Sequence, residues 1–168
     1  MKKKLYVETS VWNQLEHDDR LDWRETTEFF FAAVMRGEYE IFISNVVLDE
    51  ILATPNMELQ VRLANHINRL QPAILVLDEE ATSLTGHYIE AGFGGIHVSQ
   101  RIYRDCCHIA VATVNDIKHV VSFNCKHLVN DRRIDGFNAI NLQHGYDLMV
   151  DITTPHRFLG ENSLEVEL

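Results

Sequence analysis

Short apolar segments that alternate with helical patterns are the feature that most constrains the fold of this chain. The segments that we predict to be strands are residues 5–7, 39–43, 73–77, 120–123 and 138–142. Helical patterns fill the intervals at 21–35, 57–70, 79–91 and 105–114, and Asn45 is positioned to cap a further helix that carries Glu50. Short apolar strands separated by helices are typical of a parallel sheet that is covered on both faces. We therefore predict one α/β domain over residues 1–168, with a surface tail from residue 153 that is flexible from about residue 156.

Composition and charge argue against several classes of protein. No apolar run reaches the roughly 18 residues that span a bilayer, and the apolar stretch after the N-terminal lysines ends at Glu8, too early for a secretory signal. We therefore expect a cytoplasmic protein without a membrane partner. Cys106, Cys107 and Cys125 form no C-x-x-C pair, which predicts reduced thiols in or near the core. The net charge of −10 disfavours a scaffold that binds RNA by its charge alone, but it is compatible with a site where cations offset carboxylates.

Four polar side chains of metal-ligand type stand beside predicted strand ends. Glu8 ends the first strand, and Glu50 lies near the start of the helix after the second. Asp105 opens the apolar helix at 105–114, and Asn124 directly follows the strand at 120–123. Ligands of open α/β sheets collect at the carboxyl ends of the strands, so we expect these four residues to converge at one end of the sheet.

Four segments resemble, in order along the chain, the motifs of the PIN-domain family. Residues 5–10, LYVETS, are similar to the family's opening, which reads apolar-apolar-Asp-Thr/Ser-Ser. Residues 44–51 resemble its helix with one inward Glu, and residues 105–112, DCCHIAVA, resemble its D-x-x-H-I-A-x-A helix. Residues 122–128, SFNCKHL, match its Ser/Thr-x-Asp/Asn stretch. The resemblance covers approximately residues 4–142.

The resemblance implies a three-layer α/β/α fold with a central parallel sheet, and a metal-dependent ribonuclease activity. In the family these four positions are catalytic and hold one or two Mg²⁺ or Mn²⁺ ions, which assigns Glu8, Glu50, Asp105 and Asn124 to that role here. Hard cations take oxygen ligands of this type. The chain resembles in particular the VapC-type toxins of toxin–antitoxin pairs, which implies an RNA substrate and a small antitoxin that inserts a segment into the acidic groove. A homodimer is one oligomeric state that we leave open.

Two of the four positions depart from the family pattern. Glu8 stands where Asp is usual, and Asn124 brings no charge. Each residue also has a structural interpretation: a solvent-facing Glu8, an exposed Glu50, an Asp105 that stabilises a helix N-terminus, and an Asn124 that serves a turn. A second hypothesis is therefore a catalytically degenerate module that acts by binding a partner or RNA. A small-molecule phosphohydrolase is disfavoured because no phosphate-binding loop or nucleophile motif is present.

Several residues that flank these four in sequence are candidates for RNA contacts. Trp12 and Asn13 follow Glu8 and would stack on bases or contact phosphates. The basic candidates flank Asp105 and Asn124: Arg101, Arg104, Lys126, His127, Arg132 and Arg133. We expect His108 to pack under the sheet with one ring nitrogen hydrogen-bonded, although its spacing from Asp105 would also let it face the same pocket. The glycines at 92–95 predict a loop.

Overall fold

The structure of the protein is a computed structural model that describes residues 1–160. The strands in that part of the chain are β1 (Lys3–Val7), β2 (Tyr39–Ser44), β3 (Ala73–Leu75), β4 (His119–Val121) and β5 (Asp151–Thr153). The α-helices there are α1 (Thr9–Gln14), α2 (Leu21–Met35), α3 (Asn45–Leu52), α4 (Met57–Leu70), α5 (Glu79–Glu90), α6 (Gln100–Val114) and α7 (Asp131–Gln143), and a short 3₁₀ helix covers Pro155–Arg157. None of the helices in residues 1–160 combines the length and the apolar character that a membrane crossing requires.

The five strands form one sheet in the order β3-β2-β1-β4-β5, and every neighbouring pair is parallel. Leu5, in the middle of β1, lies opposite Ile41 on one side and His119 on the other. The central strand is covered on both faces, since Leu5, Tyr6 and Val7 are all fully buried. The prediction of a parallel sheet within an α/β domain is confirmed.

The strand order divides the helices between the two faces of the sheet. The chain moves from β1 outward to β2 and β3, then returns to the other side of β1 for β4 and β5. Because parallel crossovers are right-handed, this reversal places α1 to α4 on one face and α5 to α7 on the other. Accordingly α2 contacts α1 and α4, whereas α5 contacts α6 and α7. The crevice at the reversal opens between the carboxyl ends of β1 and β4, where α/β sheets bind ligands.

The strand that we predicted at residues 138–142 is wrong, because these residues belong to α7. Its apolar residues Ala139 and Leu142 are exposed, whereas Asn138 and Asn141, three positions apart, are buried as on one face of a helix. Asn138 is bonded through its amide to both main-chain groups of Val150, which holds the chain at the start of β5. The fifth strand comes later, at Asp151–Thr153.

Two helix starts also differ from the prediction. Helix α6 begins at Gln100 with Ser99 as its N-cap, so Asp105 lies in the second turn and does not open the helix. The first turn mixes two polar residues with Ile102 and Tyr103 and is too short to show the apolar repeat that predicts a helix. Helix α3 is capped by Ser44, whose side chain accepts a hydrogen bond from the Val46 amide. The side chain of Asn45 instead accepts from the Leu77 amide and ties α3 to the segment after β3.

The structure also bears on three further expectations: the third strand, the C-terminal tail and the cysteines. The third strand is shorter than predicted and lies at the sheet edge, where Ile74 is 54% exposed. The predicted surface tail packs in its first part, since Pro155 and Phe158 are buried; the part of the expected flexible tail beyond residue 160 lies outside the described residues. Cys106 and Cys107 are buried free thiols, as predicted, whereas Cys125 is exposed.

Candidate active site

The four residues that we predicted as metal ligands line one pocket of about 260 Å³ at the crevice between β1 and β4. Glu8 directly follows β1, and Asn124 lies three residues beyond β4. Glu50 comes from α3 and Asp105 from α6. The expected convergence of Glu8, Glu50, Asp105 and Asn124 is therefore observed. We call this cavity the acidic pocket.

Glu8 joins the ends of the two central strands. It is 4% exposed and caps α1 by accepting a hydrogen bond from the Ser10 amide at 2.9 Å. The same oxygen, Oε2, accepts from the hydroxyls of Ser10 and Ser122, the latter at 3.0 Å. The interpretation of Glu8 as a solvent-facing residue is wrong, because these bonds fix the carboxylate inside the crevice.

Glu50 ends a buried chain of hydrogen bonds that runs through the sheet. Its Oε1 accepts from the Thr9 hydroxyl at 3.0 Å and from His108 Nε2 at 2.5 Å. The other ring nitrogen of His108 lies 2.7 Å from the Tyr6 hydroxyl, which also shares a hydrogen bond with Ser44. His108 is fully buried as expected, but both of its ring nitrogens are bonded and one contacts a site carboxylate. Glu50 is therefore not merely an exposed helix residue.

Attraction between Glu50 and His108 outweighs the effect of burial on the pKa of each side chain. Burial alone lowers the pKa of His108, but the hydrogen bond and the charge of Glu50 outweigh it and raise the pKa above its usual value. Burial likewise favours a raised pKa for Glu50, and the hydrogen bond and charge of His108 outweigh it and lower the pKa. Both directions favour an imidazolium–carboxylate pair in the interior.

Asp105 is the carboxylate with the most perturbed titration in the pocket. Burial, followed by the charge of Glu8, raises its pKa to about 7, with a further increase from Glu50 that His108 and Arg101 partly offset. One oxygen, Oδ2, accepts a hydrogen bond from the Asn124 side chain at 3.1 Å. Its position in the second turn and its burial argue against a simple role in stabilising the helix N-terminus.

Asn124 faces the pocket with its amide nitrogen. Its Oδ1 accepts a hydrogen bond from the main-chain amide of His127 at 3.1 Å, while its Nδ2 donates to Asp105. Since a main-chain N–H can only donate, this contact fixes the orientation of the side-chain amide. Asn124 therefore serves both the turn and the site: its nitrogen is bonded to Asp105, and its oxygen is bonded to the turn.

The chemistry of the donor set fits a hard divalent cation. Each of the three carboxylates uses one oxygen for the bonds above, and Glu8 Oε1, Glu50 Oε2 and Asp105 Oδ1 accept no hydrogen bond from residues 1–160. Carboxylate oxygens are the ligands that Mg²⁺ and Mn²⁺ prefer. In the same part of the chain, no three His, Cys, Asp or Glu side chains form a preformed metal-binding group. The carboxylates would have to draw together to share an ion.

The candidate RNA contacts lie in four different settings. Trp12 is wrong as a stacking residue, because it is fully buried and packs on Phe31 with ring centroids 4.7 Å apart. Asn13 and Arg101 line the acidic pocket. Arg104 is half-buried, and its charge helps to lower the pKa of Glu50. Lys126 and Arg132 line a neighbouring pocket, which also includes Arg133.

Trp23 lines the acidic pocket and was not identified from the sequence. Its ring stacks on Phe123 with centroids 4.6 Å apart, and the Arg20 guanidinium lies 4.1 Å from the ring centroid. Trp23 lies in the first turn of α2, and no motif indicates that this end of the helix reaches the crevice. The half-buried ring of Trp23, and not the buried ring of Trp12, therefore forms part of the pocket lining.

No protein-family model and no curated protein sequence matches this chain. Two solved structures resemble it in fold. FitAcB from Neisseria gonorrhoeae is 14% identical, with a TM-score of 0.54 over 90% of this chain and 97% of that one. VapBC2 from Rickettsia felis, bound to a DNA fragment from their promoter, is 15% identical, with a TM-score of 0.53 over 89% and 98% of the two chains. At these identities the likeness shows a shared fold, and it confirms the PIN-like three-layer α/β/α architecture that the sequence predicts.

Proposed function

We propose that this protein is a metal-dependent endoribonuclease of the PIN type. The observation that carries the proposal is the acidic pocket, in which Glu8, Glu50 and Asp105 from three separate elements meet at the reversal of strand order. Each of these carboxylates has one oxygen without a hydrogen bond to residues 1–160. The pKa of Asp105 is raised first by burial and then by the negative charge of Glu8, and a bound cation would oppose both effects.

Glu8, Glu50 and Asp105 would hold Mg²⁺ or Mn²⁺, which supplies a bound water of lowered pKa for attack on a phosphodiester. The surrounding side chains orient these ligands. Ser10 and Ser122 fix Glu8, and His108 fixes Glu50. Before a cation binds, Asp105 holds a proton for part of the time near neutral pH, because its pKa is about 7.

We further propose that the protein is the toxin of a toxin–antitoxin pair and that a small antitoxin is its partner. The sequence resembles VapC-type toxins, and the fold likeness includes VapBC2 over 98% of that chain. Co-purification of the toxin with the product of an adjacent small gene would test the partner directly.

The nuclease proposal is tested by cleavage of defined RNAs with Mn²⁺ and with a chelator. The wild type should cleave only with Mn²⁺, and Asp105→Asn should lower the rate by at least about 100-fold, as misplaced catalytic groups do. Asp135→Asn, which removes one exposed carboxylate on α7, is the matched control and should cleave normally. Cleavage that persists in the chelator, or that is equal in Asp105→Asn, would contradict the proposal.

A second candidate is a degenerate PIN-fold module that works by binding a partner or RNA. Two features favour it: Asn124 brings no charge to the site, and Glu8 replaces the usual Asp. A Mn²⁺ titration separates the candidates. A nuclease should bind the ion through Glu50 and Asp105, so that Glu50→Gln and Asp105→Asn weaken binding, whereas a pure binding module need not bind it at all.

A further inference from the structure

A second cavity lies beside the acidic pocket and has the opposite charge. It has a volume of about 480 Å³, and its wall includes the glycine-rich turn at residues 92–95 and the side chains of Lys126, Arg132 and Arg133. We call it the basic pocket. It is larger than the acidic pocket, and a single phosphate ion would occupy only a small part of it.

The three cations of the basic pocket have no acidic partner in the described part of the chain. Lys126, Arg132 and Arg133 form no ion pair with residues 1–160, even though Asp131 and Asp135 lie on the same helix as the two arginines. Other surface arginines, such as Arg20 and Arg24, are paired with carboxylates. In a protein of net charge −10, three uncompensated cations around one cavity favour an anionic ligand.

Close packing builds the floor of this pocket. Phe93 stacks on Phe137 with ring centroids 4.4 Å apart, and the Arg133 guanidinium lies 5.4 Å from the Phe93 centroid. The stack requires Gly136, because a Cβ at that position would lie 2.7 Å from Cζ of Phe93. Alanine would be favoured at this helix position by about 1 kcal/mol of helix propensity, but its Cβ would clash with the Phe93 ring. Arg133 is thereby held at the pocket wall and does not extend freely into solvent.

The turn that follows Asn124 connects the two pockets. Asn124 donates to Asp105 in the acidic pocket and accepts from the amide of His127. Lys126, on the same turn, lines the basic pocket. Asn124 and Lys126 are two residues apart on this turn, so the two pockets are neighbours.

We propose that the basic pocket binds backbone phosphates of a single-stranded RNA whose adjoining phosphodiester lies at the acidic pocket. The inference deepens the proposed ribonuclease function and rests on it for the identity of the ligand. RNA is favoured over an acidic peptide because Lys126 of the basic pocket lies two residues from Asn124, which lines a site suited to metal-bound phosphodiesters. The basic pocket adds three cations beside the acidic pocket, where Arg101 is the arginine in the lining, and phosphate contacts provide most of the affinity of proteins for nucleic acid.

The test is the binding of a labelled oligouridine of about 12 nucleotides, a length within the site sizes typical of single-strand binders. Fluorescence anisotropy in EDTA measures affinity without metal-dependent cleavage. The double variant Lys126→Ala/Arg132→Ala should bind about tenfold more weakly at low salt. The slope of log K against the logarithm of the salt concentration should also become shallower by about 0.7 for each phosphate contact that is lost. Both side chains are exposed, so unfolding curves should match those of the wild type.

The matched control is Lys2→Ala/Lys118→Ala, which removes two exposed cations at the opposite end of the sheet. This control should bind RNA like the wild type. Equal binding by the two double variants would overturn the inference, as would equally strong competition by a polyglutamate peptide. Failure of the ribonuclease proposal looks different: the wild type would bind RNA through Lys126 and Arg132 in EDTA yet leave it intact with Mn²⁺.

Discussion

The carboxyl of Asp105 should control how the stability of the metal-free protein varies with pH. Its pKa is near 3.9 in an unfolded chain and about 7 in the folded protein. Because the folded state binds this proton more tightly, the contribution of Asp105 to stability is greatest below about pH 4. It is lost as the pH rises toward 7. Asp105→Asn should remove this loss and stabilise the metal-free protein at pH 8 by on the order of 3 kcal/mol.

Urea unfolding in EDTA at pH 5 and pH 8 measures this effect. Asp135→Asn, at an exposed position, is the control and should leave the pH dependence unchanged. A free energy of unfolding for Asp105→Asn that falls between the two pH values as steeply as in the wild type would show that another group causes the loss.

The contribution of Glu50 to stability should change with pH in the opposite direction to that of Asp105. Its pKa is lowered and that of His108 is raised, chiefly because their mutual hydrogen bond and charges outweigh burial. The contribution of Glu50 is present above its unfolded pKa and lost in acid, while that of His108 is present below its unfolded pKa and lost as the pH rises. The pair therefore stabilises most between about pH 4.3 and 6.5, the unfolded values of the two groups.

At pH 5.5 and without metal, Glu50→Gln should lower the free energy of unfolding by on the order of 2 kcal/mol, since it removes a charge-assisted hydrogen bond to a buried group. Asp49→Asn, at an exposed position of the same helix, is the control and should have little effect. An increase in stability for Glu50→Gln would show that Glu50 is dominated by repulsion from its neighbouring carboxylates.

Trp23 should contribute a stacking contact if the protein binds single-stranded RNA as proposed. Base stacking on an aromatic ring contributes about 1–3 kcal/mol per base, so Trp23→Ala should weaken oligouridine binding by about 5- to 100-fold. Phe29→Ala is the control, because Phe29 is an exposed aromatic residue on the same helix and does not line the acidic pocket. Equal losses for both variants would assign the effect to general changes in α2 and not to stacking.

Sequence could predict these acidic residues but not the contacts that tune them. Glu8, Glu50 and Asp105 stand near strand ends or match short motifs, and parallel strands bring such positions to one edge. The bond between Tyr6 and His108 joins residues 102 positions apart, and it depends on side-chain directions that no local pattern contains. Side-chain direction also explains the error about the tryptophans. Trp12 lies four residues after Glu8 but is buried in the core, while Trp23 reaches the pocket from another helix.

Helices α5 and α7 each contain an interior glycine, and the two should respond differently to alanine. A Cβ at Gly86 would meet no atom within 4 Å, whereas a Cβ at Gly136 would meet Phe93 at 2.7 Å. Gly86→Ala should therefore stabilise the protein by about 0.5–1 kcal/mol through helix propensity alone. Gly136→Ala gains the same propensity but must displace the Phe93 ring from Phe137, so it should be less stable than Gly86→Ala by about 1–3 kcal/mol.

Thermal or urea unfolding of the two variants beside the wild type makes this comparison. Gly136→Ala should also weaken RNA binding, since Arg133 rests on the displaced ring. If both variants were equally stabilised, the Phe93 ring would be free to move and would not form a fixed floor for the basic pocket.

Among the elements, long helices were predictable and short or polar ones were not. Helices α2 and α4 agree with the predicted bounds because their apolar residues repeat with helical spacing over fourteen or fifteen residues. Strand β5 has only three residues, too few to show a period, and the first turn of α6 mixes polar and apolar side chains without a repeat. Their positions follow from tertiary contacts, such as the bonds between Asn138 and Val150.

The whole chain carries a net charge of −10, and part of that charge is gathered in the acidic pocket. Ions that bind the folded protein and not the unfolded chain stabilise it by RT ln(1 + [L]/Kd), about 2.7 kcal/mol at one hundred times Kd. Mn²⁺ should therefore raise the melting temperature progressively as its concentration exceeds Kd, because it removes the repulsion among Glu8, Glu50 and Asp105. Asp105→Asn should start from a higher melting temperature at pH 8 in EDTA and lose most of the further rise.

Calorimetry over a Mn²⁺ series at pH 8, with Asp135→Asn as the control, separates a specific site from general screening. Screening by the cation would raise the melting temperature of wild type and both variants alike, because all of them keep a large negative charge. Binding at the acidic pocket predicts, in the wild type and in Asp135→Asn, a rise that begins near Kd and then grows with the logarithm of the Mn²⁺ concentration, and little rise in Asp105→Asn. A rise of the same size and onset in Asp105→Asn would mean that the ion binds elsewhere, and the metal-dependent mechanism would then lose its site even if the fold and the RNA-binding surface remained as described.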